Sequence, residues 1–175
     1  MPGPKRVRYF SGQLLSADDF NAEQEYFRGK RKTLIRLLLG SGVVSGLETT
    51  IGGGNVKVSP GLALDPRGNE ITMDCSTALK LPAGTKPVFL SIEYLERETD
   101  PVPAGDGTQA SRIEEGIRLT FGSVPPPGAV PLAKLMRRSG RWQLSRGFRA
   151  PRIRCAAKAA RFRAHHPIQK LPPVR

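Results

Sequence analysis

The chain has 175 residues, and glycine (19) with proline (16) supplies 35 of them, well above the roughly 12% of average proteins, which argues for a turn-rich, β-rich chain and against a helical bundle. The formal net charge is +13, yet residues 116–175 carry 14 Lys/Arg and no Asp or Glu, while residues 1–115 hold the other 14 bases and all 15 acids. No apolar run reaches the roughly 18–20 residues of a membrane span, and no hydrophobic segment follows the basic N-terminus as a signal peptide requires.

The N-terminal stretch Pro2–Gln13 is short, basic and aromatic, ending in Arg8-Tyr9-Phe10-Ser11-Gly12. Ser16 then offers an N-cap with Asp19 three residues on, close to a capping box. Asp18, Asp19, Glu23 and Glu25 load the first turns with negative charge, and Arg28, Lys30, Arg31, Lys32 and Arg36 load the later ones with positive charge. That polarity complements a helix macrodipole. Phe20, Phe27 and Leu34 recur every seven residues, Ile35 and Leu38 continue the stripe, and Gly40 and Gly42 end it. The pattern predicts a helix over 17–39, with Gly29 costing about 1 kcal/mol relative to alanine. The stripe either covers one face of a strand domain or serves a helix–helix contact, and two heptads are too few for a coiled coil.

Beyond Gly42 the texture turns to short β-like runs. Val43–Ile51 and Asn55–Ser59 are joined by Gly52-Gly53-Gly54, which reads as a hairpin. Leu62–Leu64 and Glu70–Met73 flank a compact turn at Asp65-Pro66-Arg67-Gly68-Asn69. Thr77–Leu81 reads as a short strand. Pro87–Arg97 alternates most clearly and is expected to pair with Ile117–Phe121 across an exposed loop, Glu98–Arg112. Val130–Met136 and Arg141–Leu144 read as a final hairpin around Ser139-Gly140. The fold class expected is mainly β: one long N-terminal helix, then seven to nine strands in a compact sandwich or small barrel. From Arg149 the chain becomes an extended basic tail with too little apolar surface to fold alone.

Catalytic chemistry finds little support. The only histidines, His165 and His166, stand side by side near the C-terminus, so the body has no imidazole for acid–base work. The adjacent acids Asp18/Asp19 and Glu114/Glu115, and nearby Glu96/Glu98, read as a helix cap and solvated strand ends rather than carboxylates with separated pKa values. Gly52-Gly53-Gly54 lacks the Lys-Ser/Thr and following helix of a phosphate loop. Cys75 and Cys155 lie 80 positions apart and form no C-x-x-C pair, so neither a zinc site nor a disulfide framework is expected. No cofactor is expected.

The basic C-terminal third attracts polyanions by charge alone. Only Trp142, Phe148 and Phe162 are interleaved with its bases, fewer aromatics than base stacking calls for. An arm docking on an acidic protein surface is therefore preferred to nucleic-acid binding, which stays the alternative. A membrane-surface role ranks lower, since the apolar side of the tail is built of alanine.

Arg8-Tyr9-Phe10-Ser11-Gly12-Gln13-Leu14-Leu15-Ser16-Ala17-Asp18-Asp19-Phe20, with Glu23-Gln24-Glu25-Tyr26 and Gly42-Val43-Val44-Ser45-Gly46-Leu47-Glu48, resembles small bacterial structural proteins encoded with contractile, phage-tail-like injection systems. Val58–Ile71 looks like the β-rich modules of tail, baseplate and fibre-attachment proteins. Val130-Pro131-Leu132-Ala133-Lys134-Leu135, with Gly140 and Trp142, is similar to their closing hairpin. The resemblance spans about residues 5–148 and leaves the tail unmatched. It implies a non-enzymatic structural or adaptor subunit, with other subunits of a tail, sheath or baseplate assembly, or further copies of itself, as partners. It also implies assembly in the bacterial cytoplasm and incorporation in a phage-tail-like particle. The corresponding organisation is an arm and helix (1–40), a β-rich domain (41–148) and a basic tail (149–175). The candidate partner-binding residues are Tyr9, Phe10, Phe20 and Phe27 on the arm and Arg149, Arg152, Arg154, Lys158, Arg161 and Arg163 on the tail.

Overall fold

The computed structural model describes residues 4–153. Helix α1 runs from Ala17 to Leu34 and opens with the expected capping box. The Asp19 amide donates to Ser16 Oγ at 3.3 Å, and the Ser16 amide donates to Asp19 Oδ2 at 2.9 Å. The first is shared with the Ser16 carbonyl at 3.2 Å, and the second supplies the Ser16 amide, ahead of the helix, with an acceptor. The helix continues to Leu39 as expected, its last five residues, Ile35–Leu39, forming one π-helical turn closed by the Gly40 amide donating to the Ile35 carbonyl at 3.0 Å.

Among the described residues ten strands follow rather than seven to nine: β1 (Gly42–Gly46), β2 (Thr49–Gly52), β3 (Asn55–Val58), β4 (Gly61–Leu64), β5 (Glu70–Met73), β6 (Thr77–Lys80), β7 (Val88–Ala104), β8 (Gly107–Gly122), β9 (Val130–Arg138) and β10 (Arg141–Leu144). They make three sheets, ordered β1-β4-β5, β2-β3-β6 and β10-β9-β7-β8, with antiparallel pairing within each. The run read as one strand over 43–51 is two, because Leu47 takes a positive φ of 54° and carries the chain from the first sheet into the second. The β2–β3 hairpin closes through Gly53-Gly54, both at positive φ (58° and 77°), the backbone that a two-residue type I′ turn demands. In the β4–β5 turn the buried Asp65 carboxylate accepts from the Arg67 and Asn69 amides, each at 2.8 Å, and from Asn69 Nδ2 at 2.7 Å.

One hydrophobic core joins the three sheets. Val43, Leu47, Val56, Val58, Ala63, Ile71 and Met73 meet Leu90, Ile92, Val130, Leu132, Ala133 and Leu135 there. The alternation of β3 and β5 places every second side chain in this core. The architecture is therefore mainly β with one N-terminal helix.

The segment Glu98–Arg112, expected as a loop, is instead the outer half of a long two-stranded ribbon. β7 and β8 stay paired in register from Phe89–Gly122 out to Ala104–Gly107. β9 leaves β7 after Ile92, so among the described residues the outer ribbon has no other neighbour strand. Both of its faces are wet, which removes the apolar–polar alternation that marks a half-buried strand. Pro101 and Pro103 lie two residues apart. Pairing with β8 tolerates them only with both ring nitrogens turned to the open edge, where no amide donor is needed.

Candidate docking surface

The N-terminal arm folds back along α1. Tyr9 donates its phenol proton to Glu23 Oε2 at 2.7 Å, and that bond, more than burial, raises the Tyr9 pKa above its ordinary value. Phe10 and Gln13 close a turn between them, the Phe10 amide donating to the Gln13 side chain and the Gln13 amide to the Phe10 carbonyl. This places Tyr9 on the helix and leaves the Phe10 ring 68% exposed.

Apart from Ile35, the apolar stripe does not cover the strand domain. Phe20, Phe27 and Leu34 are 50%, 58% and 58% exposed, and Leu37, Leu38 and Leu39 of the π turn extend the apolar surface. Another face of the helix meets the body. There Arg28 pairs with Glu96, Arg31 Nε lies 3.6 Å from Glu70 Oε1, and Ile35 is buried. The Lys32 backbone packs directly onto the Gly68 turn, where an added Cβ would stand 2.5 Å from the Lys32 carbonyl oxygen. Seen from the sequence, either face could have met the body. Gly68 and the two arginines decide it. Leu14, Leu37 and Leu39 join Leu34 and Leu38 of the stripe without having been singled out, although the Leu37-Leu38-Leu39 run before Gly40 was a visible signal.

At the other end the chain stays tied to the body as far as Ile153. Val43 donates its amide to the Pro151 carbonyl at 2.7 Å and accepts from the Ile153 amide at 2.9 Å, forming a short parallel bridge. Phe148 packs edge-on against Phe89 with ring centroids 5.5 Å apart. Arg149 is exposed, whereas Arg152 forms an ion pair with Glu48 of the same chain. Arg154, Lys158, Arg161 and Arg163 lie outside the described residues. Between Ile117 and Arg149, no base forms an ion pair among the described residues. Lys134 instead places its ammonium 5.2 Å from the centre of the Phe89 ring, and Arg137 donates Nε to the Gly140 carbonyl at 2.9 Å.

The carboxylates around the helix are held in structural contacts. Asp19 is occupied by the helix cap, and Glu96 accepts from Tyr94 at 2.9 Å as well as from Arg28. Burial first, then hydrogen bonding to Glu96 and Glu115, raises the Tyr94 pKa and keeps that phenol neutral. Among the described residues no three His, Cys, Asp or Glu side chains gather as metal ligands would, and no helix is long and apolar enough to cross a membrane.

No protein-family model and no curated protein matches the sequence. Solved structures do share the fold. A chain of the baseplate complex from the type VI secretion system superposes with a TM-score of 0.58 at 14% identity, over 86% of this chain and 60% of that one. The crystal structure of TssK gives 0.54 at 14% identity, over 82% and 41%. A chain of the type VI TssK-TssF-TssG baseplate subcomplex gives 0.57 at 13% identity, over 85% and 62%. This chain thus spans between 41% and 62% of the length of these counterparts. At such identities the likeness is one of fold, and the fold is that of baseplate proteins, in keeping with the resemblance read from the sequence.

Proposed function

We propose that this chain is a non-enzymatic structural or adaptor subunit of a contractile injection system or phage-tail-like particle. The observation that carries the reading is a baseplate-type β body bearing a helix whose apolar stripe is left facing solvent. Contiguous exposed apolar surface of this kind marks a protein contact. In this reading residues 1–40 form a docking arm, residues 41–148 the body and residues 149–175 a basic connecting segment. Tyr9, Phe10, Phe20 and Phe27 contact a neighbouring subunit. Arg149, Arg154, Lys158, Arg161 and Arg163 meet an acidic protein surface, while Arg152 is partly committed to Glu48. Assembly takes place in the bacterial cytoplasm. The test is genetic: cells lacking this chain are expected to accumulate unassembled particle components, and normal numbers of working particles without it would overturn the reading.

A second reading, nucleic-acid binding through the basic third, is favoured by one observation. The bases between residues 117 and 149 have no carboxylate partner among the described residues. That reading predicts polyanion binding that falls steeply with salt and weakens both on replacing Arg138, Arg141 and Arg146 by Glu and on removing residues 154–175. Unchanged affinity and salt slope after both changes would count against it.

A further inference from the structure

We propose that the apolar stripe of α1 is a contact between two copies of this chain, packed as an antiparallel helix pair about a two-fold axis at Phe27. The inference rests on the reading of the stripe as a docking surface and names its occupant.

The stripe is free for such a contact. Phe20, Phe27, Leu34 and Leu38 are at least half exposed, while the helix is held to the body along the adjoining side, by Arg28, Lys32 and Ile35 with Arg31 at the border of the stripe. Charge then selects the partner and its direction. The acids Asp18, Asp19, Glu23 and Glu25 occupy the first half of the helix, and the bases Arg28, Lys30, Arg31, Lys32 and Arg36 occupy the second. A parallel pair would set like charges side by side. An antiparallel pair sets each acidic half beside a basic half.

The register follows from the spacing. With Phe27 facing its own copy, Phe20 lies beside Leu34 of the second chain, and Leu34 beside the second Phe20. The three apolar layers are thus filled by symmetry. Glu23 and Lys30 flank the stripe on the same side. A two-fold axis lying in the contact plane keeps that flank together, so Glu23 of each copy meets Lys30 of the other. Glu23 uses Oε2 for Tyr9, which leaves Oε1 for the second lysine. A foreign helix would have to supply this mirrored order of charge and side-chain size; a second copy has it already. One helix face is a small interface, so the pair is expected to form with a dissociation constant of roughly 10–100 µM.

Sedimentation equilibrium of the full chain tests the proposal. A monomer–dimer equilibrium is expected, and Phe27→Asp should weaken it about tenfold or more while leaving the circular dichroism spectrum unchanged. Leu34→Ser should do the same and serves as the second variant. Glu23→Lys and Lys30→Glu should each weaken the dimer, and the double variant should restore it. In a Cys75→Ser/Cys155→Ser background, mixed chains carrying Phe20→Cys and Leu34→Cys should form the 20–34 disulfide on oxidation.

A chain that stays monomeric at about 1 mM, a dimer indifferent to Phe27→Asp, or preferential 20–20 cross-linking would each overturn the proposal. So would a chain ending at Ile153 that dimerises when the full chain does not, since residues 154–175 would then occupy the stripe. A monomer that still enters assembled particles would defeat the helix pair while leaving the structural role standing.

Discussion

The carbonyl oxygen of Lys32 rests 2.5 Å from the point that a Cβ on residue 68 would occupy. Helix and body therefore touch backbone to backbone at Gly68, which also takes a positive φ of 86°. Gly68→Ala must both strain the turn and push the helix away. It is expected to destabilise the chain by about 1–3 kcal/mol and to expose the 35–41 junction to protease. Denaturant unfolding and limited proteolysis measure both effects, and an unchanged midpoint would show that the helix does not depend on this contact.

Asp65 holds the turn that presents Gly68. Its buried carboxylate receives two backbone amides and the Asn69 side chain. Asp65→Ala leaves those donors without acceptors and should cost about 2–4 kcal/mol. The midpoint of urea unfolding reports this loss.

The helix start carries a pH signature. Hydrogen bonding from the Ser16 amide, then from its hydroxyl, lowers the Asp19 pKa below its ordinary 3.8. The ionised form is thus favoured in the folded helix. Its contribution is complete above about pH 4 and fades as pH falls through the lowered folded value. Far-ultraviolet circular dichroism between about pH 5 and about pH 2 should show a loss of helix in the wild type that Asp19→Asn, already without the charge, lacks.

Residues 148–153 are tied to the body. A chain ending at Ile153 keeps the Val43 bridge and the Phe148–Phe89 contact. One ending at Gly147 loses both and should be less stable by about 3 kcal/mol. Comparing the thermal unfolding of the two truncations tests this directly.

Much of this fold was legible because local chemistry and tertiary structure agree. The Ser16–Asp19 cap, the Gly53-Gly54 turn, the Asp65–Asn69 turn and the 130–144 hairpin are each specified by residues within a few positions of one another. The pairing of Ile92 with Leu119 could be read because both strands alternate toward one core. The outer ribbon could not, since a strand wet on both faces leaves no period to detect. The direction of the stripe was hidden for another reason. Heptad spacing identifies an apolar face, but the partner of that face is settled by Gly68, Glu70 and Glu96, all far away in sequence. Arg152 shows the same limit: its charge suggested an outside partner, and Glu48 supplies an inside one.

If this chain is a building block of a larger particle, quantitative mass spectrometry of sheathed particles purified from the cells that make it will find it in a fixed ratio to the sheath subunit, retained through washing at high salt. Complete, contractile particles without a trace of it would show that it is no such building block.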